Sequence, residues 1–159
     1  MSKSGLMVDG FVLNNALTNF SAKPREGQSA PNRMQSGKRP ISAMAPTIVF
    51  DQSGKPVAAG GSAGGGQIVD YIAMSLIEML ANARTPVEAL ARGHVSTAVQ
   101  GKLQLEAGTA AAQLAAALKA KGHDVDVAPM VSGLGFLLRR GEGWIGAADS
   151  RRDGVAQGY

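Results

Sequence analysis

The 159-residue sequence contains no cysteine. Disulfides, zinc–thiolate sites and cysteine nucleophiles are therefore excluded within it, and the cellular compartment stays open. Aromatic residues are also scarce, at 4%, so a core must be built from Ala, Leu, Val, Ile and Met. With 45% hydrophobic and 18% charged residues, the composition is nevertheless that of a globular protein. This length suits one domain with a substantial core, and we expect a single domain over residues 1–159.

Long apolar runs and metal-ligand spacings are missing as well. The longest apolar stretch, YIAMSLIEML, is interrupted by Glu78, and the first ten residues lack the apolar core of a signal peptide. Residues 1–50 carry six Lys/Arg against two Asp/Glu, but no aromatics are interleaved with Lys23, Arg25, Arg33, Lys38 and Arg39. We therefore expect neither a membrane span nor a nucleic-acid partner. His94 and His123 have no metal-ligand spacing; we expect surface or helix-capping histidines, no metal and no cofactor.

The order of the predicted elements indicates an α+β fold. GFVLNN reads as a short strand, and a long loop-like segment follows from Phe20 to Ile41. A turn at DQSGK separates the strands TIVF and PVAAG. Apolar residues at three-and-four spacing predict a helix over residues 67–82, and Thr85, Pro86 and Glu88 predict a capping box. The remaining predictions are a helix from about Thr109 to Lys121 and the strands VDVAPM, GFLLRR and GWIGAAD.

A glycine-rich segment, GGSAGGG over Gly60–Gly66, lies between the strand PVAAG and the following helix. A Walker A loop requires Lys and Ser/Thr where Gln67 and Ile68 stand. No register supplies the glycines at i, i+2 and i+5 of a dinucleotide fingerprint. A plain glycine-rich connection stays an alternative. Consecutive glycines directly before a helix, however, free backbone N–H groups to point at one spot, which favours an anion or oxyanion site.

Two further segments hold polar residues in rigid or clustered form. In KRPISAMAPT, two prolines enclose Ser42 in an extended chain, so its hydroxyl is suited to hold a carboxylate; an ordinary start of a strand is the alternative. Near the end of the sequence, four charged residues cluster: Asp149, Arg151, Arg152 and Asp153. For this cluster a salt-bridged structural turn is favoured over a catalytic role.

Five segments, in this order, resemble motifs of the small subunit of gamma-glutamyltransferases, also called gamma-glutamyltranspeptidases. GFVLNNALTNFS resembles G-x-x-L-N-N-x-x-x-D-F-S, and GKRPISAMAPTIV resembles K-R-P-x-S-S-M-x-P-T. GSAGG (Gly61–Gly65) is similar to G-S-P-G-G, and ARGH (Ala91–His94) is similar to a degraded P-R-x-H. DSRRDGVAQGY matches the terminal D-P-R-R-D-G-x-A-x-G-Y. The resemblance covers residues 6–159 and is specific for the superfamily.

The resemblance implies part of an N-terminal nucleophile hydrolase fold, an αββα sandwich. In that family a precursor cleaves itself, and the freed threonine of the small subunit attacks the gamma-glutamyl amide with its own α-amine as base. The acyl group then passes to water or to an acceptor amino acid. By motif position, Gly64 and Gly65 would form the oxyanion hole, and Ser42 would hold the substrate α-carboxylate. Ala16 and Asn19 occupy positions whose family residues hold the α-ammonium.

Three of the expected substrate positions depart from the family pattern. Asn19 replaces an Asp, Ala16 replaces a Gln or Glu, and Ala43 replaces the second Ser of the pair that begins at Ser42. Each loss of a polar partner for a buried substrate group weakens discrimination between substrates with and without that group by ~1–3 kcal/mol. An Asn suits an acyl chain without an amino group, such as the glutaryl group of the related cephalosporin acylases. We therefore predict that the complete enzyme prefers acyl groups without a free α-amine, or is weakly selective.

The resemblance also sets expectations about partners. The family's nucleophilic threonine precedes the matched region, and the large subunit supplies a carboxylate-binding arginine. We expect this chain to be a C-terminal fragment, inactive alone, whose partners are a gamma-glutamyl small molecule, the large subunit and the N-terminal part of the small subunit. Three hypotheses stay open: gamma-glutamyl transfer or hydrolysis, a related acylase acting on glutaryl-type amides, and an inactive remnant. Family members are often periplasmic or extracellular. The sequence itself indicates no compartment for this chain.

Overall fold

The structure, a computed structural model, describes residues 5–21, 31–99 and 101–158. The chain divides into two compact units, Met1–Ser42 and Ala43–Tyr159. The expectation of one domain over the whole chain stays a prediction. Among the described residues, no helix has the length and apolar character needed to cross a membrane.

The first unit contains a small hairpin and one 3-10 turn. Strand β1 (Met7–Val8) pairs antiparallel with β2 (Phe11–Val12). Asp9 and Gly10 connect the strands with positive φ of 49° and 83°, as in the tightest two-residue hairpin turns. A 3-10 helix follows over Ala16–Asn19. The strand predicted in GFVLNN is therefore confirmed over two residues only, and its pairing partner had not been predicted.

The long loop predicted after this hairpin is confirmed where it is described. Residues 20–21 and 31–41 contain no helix or strand, apart from a single bridge between Ser21 and Arg33. Residues 22–30 of the same predicted loop lie outside the described residues.

The second unit contains a four-stranded antiparallel sheet with the strand order β3-β4-β8-β9. The bounds are Thr47–Phe50 for β3, Pro56–Gly61 for β4, Gly135–Arg140 for β8 and Gly143–Ala148 for β9. These are the strands that TIVF, PVAAG, GFLLRR and GWIGAAD predicted. The predicted turn joins β3 to β4, with Gly54 at a φ of 79°.

A second sheet in the same unit has the order β5-β6-β7. β5 (Val95–Val99) and β6 (Lys102–Glu106) form an antiparallel hairpin that the sequence did not predict. β6 also pairs in parallel with β7 (Val125–Ala128), which lies in the predicted VDVAPM strand. The sheet is therefore mixed, and its two outer strands come from separate parts of the unit.

The part of the chain that the structure describes contains three α-helices: α1 (Ile68–Leu80), α2 (Pro86–Ala91) and α3 (Ala115–Ala120). The predicted capping box of α2 is confirmed, since the Thr85 side chain accepts from the Glu88 N–H and the Glu88 carboxylate accepts from the Thr85 N–H. The third predicted helix begins as a 3-10 segment over Ala110–Leu114 and becomes α-helical only in α3.

The core lies between α1, α2 and one face of the four-stranded sheet. It contains the buried side chains Ala58, Ile68, Tyr71, Ile72, Met79, Ala89, Leu90, Met130, Leu134, Phe136, Leu138 and Ala147. The other face of the sheet stays exposed and apolar. Because strand residues alternate between faces, this outer face carries Ile48, Phe50, Leu137 and Trp144, which are 45–58% exposed.

Candidate functional site

The glycine loop connects β4 to α1 and contains two residues in unusual conformations. Gly64 has a φ of 140° and Gly65 a φ of 63°, values that residues with side chains rarely adopt. A Cβ added to Gly64 would lie 2.5 Å from Cε2 of Tyr71, whereas a Cβ on Gly65 would meet nothing within 4 Å. Glycine is therefore required at position 64 for two reasons, the backbone conformation and the contact with Tyr71.

The N–H groups of this loop are available as donors. Among the described residues, no protein group accepts a hydrogen bond from the N–H of Gly64 or Gly65. Gly65 is exposed, Gly64 is half-buried, and a 3-10 turn over Gly65–Gln67 leads directly into the 13-residue helix α1. Unpaired N–H groups at the positive end of a helix stabilise an anion. The arrangement therefore suits an oxygen atom that develops negative charge.

The expected substrate positions lie in both units. Ala16 and Asn19 occupy the ends of one 3-10 helix, and three residues per turn place them on the same face, both exposed. Asn19 also accepts a hydrogen bond at its carbonyl from Nδ2 of Asn32 (2.6 Å). Ser42 ends the first unit and Ala43 begins the second, and both are exposed. Their assignment to a substrate site stays a prediction, as does that of Ala16 and Asn19.

A cluster of interacting polar side chains, the polar cluster, joins the β5–β6 hairpin to the C-terminal turn. Its members are His94, Glu106, Ser132, Asp149 and Arg151. All are buried except Arg151, which is half-buried. Every buried side-chain nitrogen and oxygen among the described residues has a hydrogen-bond partner. The cluster is therefore fully satisfied, which is the condition under which buried polar groups stabilise a fold.

Arg151 uses all five of its guanidinium N–H donors. Nε and Nη2 form a bidentate pair with the Glu106 carboxylate at 2.6 and 2.7 Å. Nη1 donates to Oδ1 of Asp149 (3.1 Å) and to the carbonyl of Leu90 (2.9 Å). The second Nη2 proton goes to the carbonyl of Arg92 (3.0 Å). The salt-bridged turn predicted from ADSRRD is thereby confirmed for Asp149 and Arg151, whereas Arg152 donates to the carbonyl of Ser132.

His94 was expected at the surface or as a helix cap, and this prediction is wrong. The residue is only 4% exposed, and its Nε2 lies 2.7 Å from Oγ of Ser132. The hydrogen-bond partners that permit its burial, Ser132 and Glu106, lie elsewhere in the sequence, so the neighbouring residues gave no sign of them. One sequence signal for the importance of His94 was available: as the fourth residue of ARGH, it matches the histidine of the family motif. His123, in contrast, is exposed after α3, as predicted.

His94, Ser132 and Asp149 are not a nucleophilic triad. In such a triad the histidine lies between the serine and the carboxylate and accepts the hydroxyl proton. Here Ser132 lies in the middle, is 0% exposed, and donates its single proton to Oδ2 of Asp149. The His94 Nε2 must therefore carry a proton and donate it to the serine. This orientation makes the serine a structural link rather than a nucleophile.

The electrostatics of the polar cluster follow from burial and hydrogen bonding. Burial lowers the pKa of His94 below its ordinary value of 6.5, and the positive charge of Arg151 lowers it further. Burial opposes ionisation of Glu106, but hydrogen bonds from Arg151 and the His94 N–H outweigh it, so the pKa of Glu106 is lowered. Burial likewise opposes ionisation of Asp149, and hydrogen bonds led by that from Ser132 lower its pKa. The cluster thus contains a neutral histidine and two carboxylates.

The polar cluster is connected to the glycine loop through Gly133. The carbonyl of Gly133 accepts from the Ala63 N–H (3.3 Å), and its N–H donates to Oγ of Ser62 (3.3 Å). A Cβ on Gly133 would lie within 3.0 Å of Arg152 and Ala63, so the chains approach closely here. Arg152 in turn donates from Nε to the Ser132 carbonyl (2.7 Å). The C-terminal turn therefore supports the start of the glycine loop.

The described residues contain no group of three or more His, Asp or Glu side chains arranged to hold a metal ion.

Solved structures of the same fold define the class of protein. The gamma-glutamyltranspeptidase from Pseudomonas nitroreducens, complexed with L-DON, matches with a TM-score of 0.81 at 25% identity, over 98% of this chain and 86% of that chain. The cephalosporin acylase from Bacillus halodurans matches with a TM-score of 0.79 at 22% identity, over 94% of this chain and 28% of that chain. The chain therefore has part of an N-terminal nucleophile hydrolase fold of the α+β class, as predicted.

Sequence comparison identifies the family within this class. The model of the gamma-glutamyltranspeptidase family matches residues 3–159. The glutathione hydrolase proenzyme of Bacillus subtilis strain 168 is 31% identical over 161 aligned positions, which cover 98% of this chain. This chain belongs to the gamma-glutamyltranspeptidase family, an enzyme family. It spans about a quarter of the length of that relative, 26%.

The lowered pKa of His94 predicts how stability depends on pH. Because the unfolded chain protonates this histidine more readily, the stabilisation is present above the unfolded pKa of about 6.5 and is lost as pH falls through the lower folded value. We expect the melting temperature to fall between pH 7.5 and 5.5, and again below about pH 4.5 as Glu106 and Asp149 are protonated.

His94→Gln tests the assignment, because its amide can donate to Ser132 without titrating. We expect this variant to lose the decrease between pH 7.5 and 5.5 but to keep the decrease in acid. His123→Gln, a matched change at the exposed histidine, should behave as the wild type. A His94→Gln protein whose melting temperature keeps the wild-type slope between pH 7.5 and 5.5 would contradict the assignment.

Proposed function

We propose that this chain supplies the oxyanion hole and part of the donor site of an enzyme that hydrolyses or transfers the gamma-glutamyl group of glutathione-like amides. The observation that carries the proposal is the Gly64–Gly65 pair, with two unpaired N–H groups held ahead of helix α1. Membership of the gamma-glutamyltranspeptidase family and similarity to glutathione hydrolases support the reaction class.

In the proposed mechanism, a nucleophile supplied by the rest of the enzyme attacks the amide carbonyl. The carbonyl oxygen gains negative charge as the carbon becomes tetrahedral, and the N–H groups of Gly64 and Gly65 donate to it. Collapse of this intermediate expels the amine and leaves an acyl-enzyme, which water or an acceptor amine then resolves. The glycine loop stabilises both tetrahedral states, so its contribution falls on the chemical steps rather than on substrate binding.

The donor site is proposed to recognise two groups on the glutamyl α-carbon, the carboxylate and the amino group. Ser42 would donate its hydroxyl to the α-carboxylate, with Ala43 beside it in the extended, exposed segment before β3. Ala16 and Asn19, together on one face of their 3-10 helix, would face the α-amino position. These substrate-binding roles are inferred from the motif positions.

The exposed outer face of the four-stranded sheet supports a partner for this chain. Ile48, Phe50, Leu137 and Trp144 form an apolar surface on three strands of this sheet, β3, β8 and β9. A sheet face of this kind is stabilised when a second sheet packs on it, at about 10 Å. In the proposed enzyme the large subunit and the remainder of the small subunit cover this face.

Gly64→Ala tests the oxyanion hole. The added methyl group would meet the Tyr71 ring and force the backbone from a φ of 140°, moving the donor N–H groups. In the full protein that contains this chain, we expect kcat for hydrolysis of a gamma-glutamyl anilide to fall by about 10²–10³-fold, with KM changed little.

Gly66→Ala is the matched control, since a Cβ there meets nothing within 4 Å and its φ lies outside the left-handed region. Circular dichroism and thermal unfolding confirm that each variant is folded. A folded Gly64→Ala protein with wild-type kcat would refute the proposed role of the loop. Absence of turnover in a folded wild type, on gamma-glutamyl and glutaryl amides alike, would indicate an inactive remnant.

A second candidate function is hydrolysis of glutaryl-type amides, whose acyl chain has no α-amine. Asn19 favours it, because the neutral amide on the exposed face of the 3-10 helix offers no negative charge to an ammonium group. Ala16, on the same face, offers no polar atom beyond its backbone. The two candidates use the same glycine loop and differ only in the acyl group that they accept.

Asn19→Asp separates the two candidates. The new carboxylate would pair with a substrate ammonium, so we expect kcat/KM for gamma-glutamyl anilide relative to glutaryl anilide to rise by about tenfold, equivalent to ~1.4 kcal/mol. Thr18→Asp adds the same charge on a different face of the helix and should leave the ratio near that of the wild type. An unchanged ratio in Asn19→Asp would show that this face does not contact the acyl group.

A further inference from the structure

The ring of Tyr71 lies directly against the glycine loop. A Cβ on Gly64 would lie 2.5 Å from Cε2 and 3.0 Å from Cδ2 of this ring, so no space separates the loop from it. Tyr71 is 0% exposed and belongs to the first turns of α1. The backbone of Gly64 therefore rests on a buried aromatic surface that belongs to the next element of the chain.

The polar cluster fixes the position of this ring. The centroids of the Tyr71 and His94 rings lie 4.3 Å apart at an interplanar angle of 37°. His94 is held at both ends, since Ser132 lies 2.7 Å from its Nε2 and Glu106 accepts from its backbone N–H at 2.8 Å. An aromatic pair at this separation contributes favourable packing in a defined geometry. Displacement of the tyrosine would therefore disturb a contact that the cluster holds in place.

The hydroxyl of Tyr71 holds the other end of the loop. It donates to Oε1 of Gln67 (2.8 Å), the residue that ends the 3-10 turn after Gly65. Nε2 of Gln67 donates to Oε1 of Gln104 (2.7 Å), and Nε2 of Gln104 donates to Oδ2 of Asp126 (3.1 Å). All donors in this series of hydrogen bonds point towards Asp126, so each bond polarises the next. The Tyr71 side chain therefore contacts the loop at Gly64 and donates a hydrogen bond to Gln67, the residue that directly follows the loop.

We propose that Tyr71 is a positioning residue that holds the N–H groups of Gly64 and Gly65 in the geometry needed to stabilise an oxyanion. The catalytic part of this inference rests on the proposed function of the loop. Preorganised donors avoid reorganisation in the transition state, and a misplacement of about 1 Å can cost about 10²-fold in rate. Glycines have little intrinsic rigidity, so the loop needs support from a side chain outside it.

The test uses the full protein with 15N-labelled glycine and compares Tyr71→Leu with Met79→Leu, a buried change further along the same helix. In the wild type and the control, we expect backbone order parameters near 0.85 for Gly64 and Gly65, and in Tyr71→Leu values below about 0.6. We also expect kcat for the gamma-glutamyl anilide to fall at least tenfold in Tyr71→Leu, with KM within about twofold of the control.

Tyr71→Phe separates the two contacts, because it keeps the ring under Gly64 and removes only the bond to Gln67. We expect it to retain most of the activity, with kcat lowered by about threefold. If Tyr71→Leu does not unfold cooperatively, Tyr71→Phe decides: kcat and order parameters equal to those of the wild type overturn the proposal.

The remaining outcomes separate this inference from the proposed function. Order parameters in a folded Tyr71→Leu protein that equal those of Met79→Leu overturn the positioning role, and so does an unchanged kcat. If the wild type has no turnover, the proposed function fails, and the order parameters alone decide whether Tyr71 positions the loop.

Discussion

The bonds of the Arg151 guanidinium are the constraint on which the rest of the second unit depends. A single planar group joins the end of α2 through Leu90, strand β6 through Glu106 and the C-terminal turn through Asp149. A buried charge is costly unless it is paired and fully hydrogen-bonded, and here all five donors are used. The elements that supply the acceptors must therefore meet in one arrangement, because any other would leave charges unpaired inside the protein.

This arrangement reaches the glycine loop by two routes. Asp149 and Arg152 fix Ser132, and the adjacent Gly133 pairs with the beginning of the loop at Ser62 and Ala63. Glu106 and Ser132 fix His94, whose ring contacts the Tyr71 ring beneath Gly64. A loop of mostly small residues, with positive φ at Gly64 and Gly65, is thus supported by side chains that lie outside it.

Features governed by neighbours in sequence could be predicted. The β3–β4 hairpin follows from its turn residues, the start of α2 from the capping box at Thr85 and Glu88, and the loop from the glycines before an apolar helix. The burial of His94 could not be predicted from its neighbours in sequence, because its partner Ser132 lies 38 residues away. The β5–β6 hairpin was missed although the KLQLE segment of β6 alternates polar and apolar residues, which is a usable strand signal. A usable signal was overlooked at Asp9-Gly10, a typical hairpin turn that would have indicated β1.

Gly64 and Gly65 are the proposed donors of an oxyanion hole, and a structure of the full protein with a tetrahedral adduct at the acyl site tests this proposal most directly. The predicted result places the oxyanion-like oxygen about 2.7–3.1 Å from both backbone nitrogens, with the Tyr71 ring still in contact with Gly64. An adduct oxygen beyond hydrogen-bonding distance of both nitrogens, or one bound by other donors, would contradict the account.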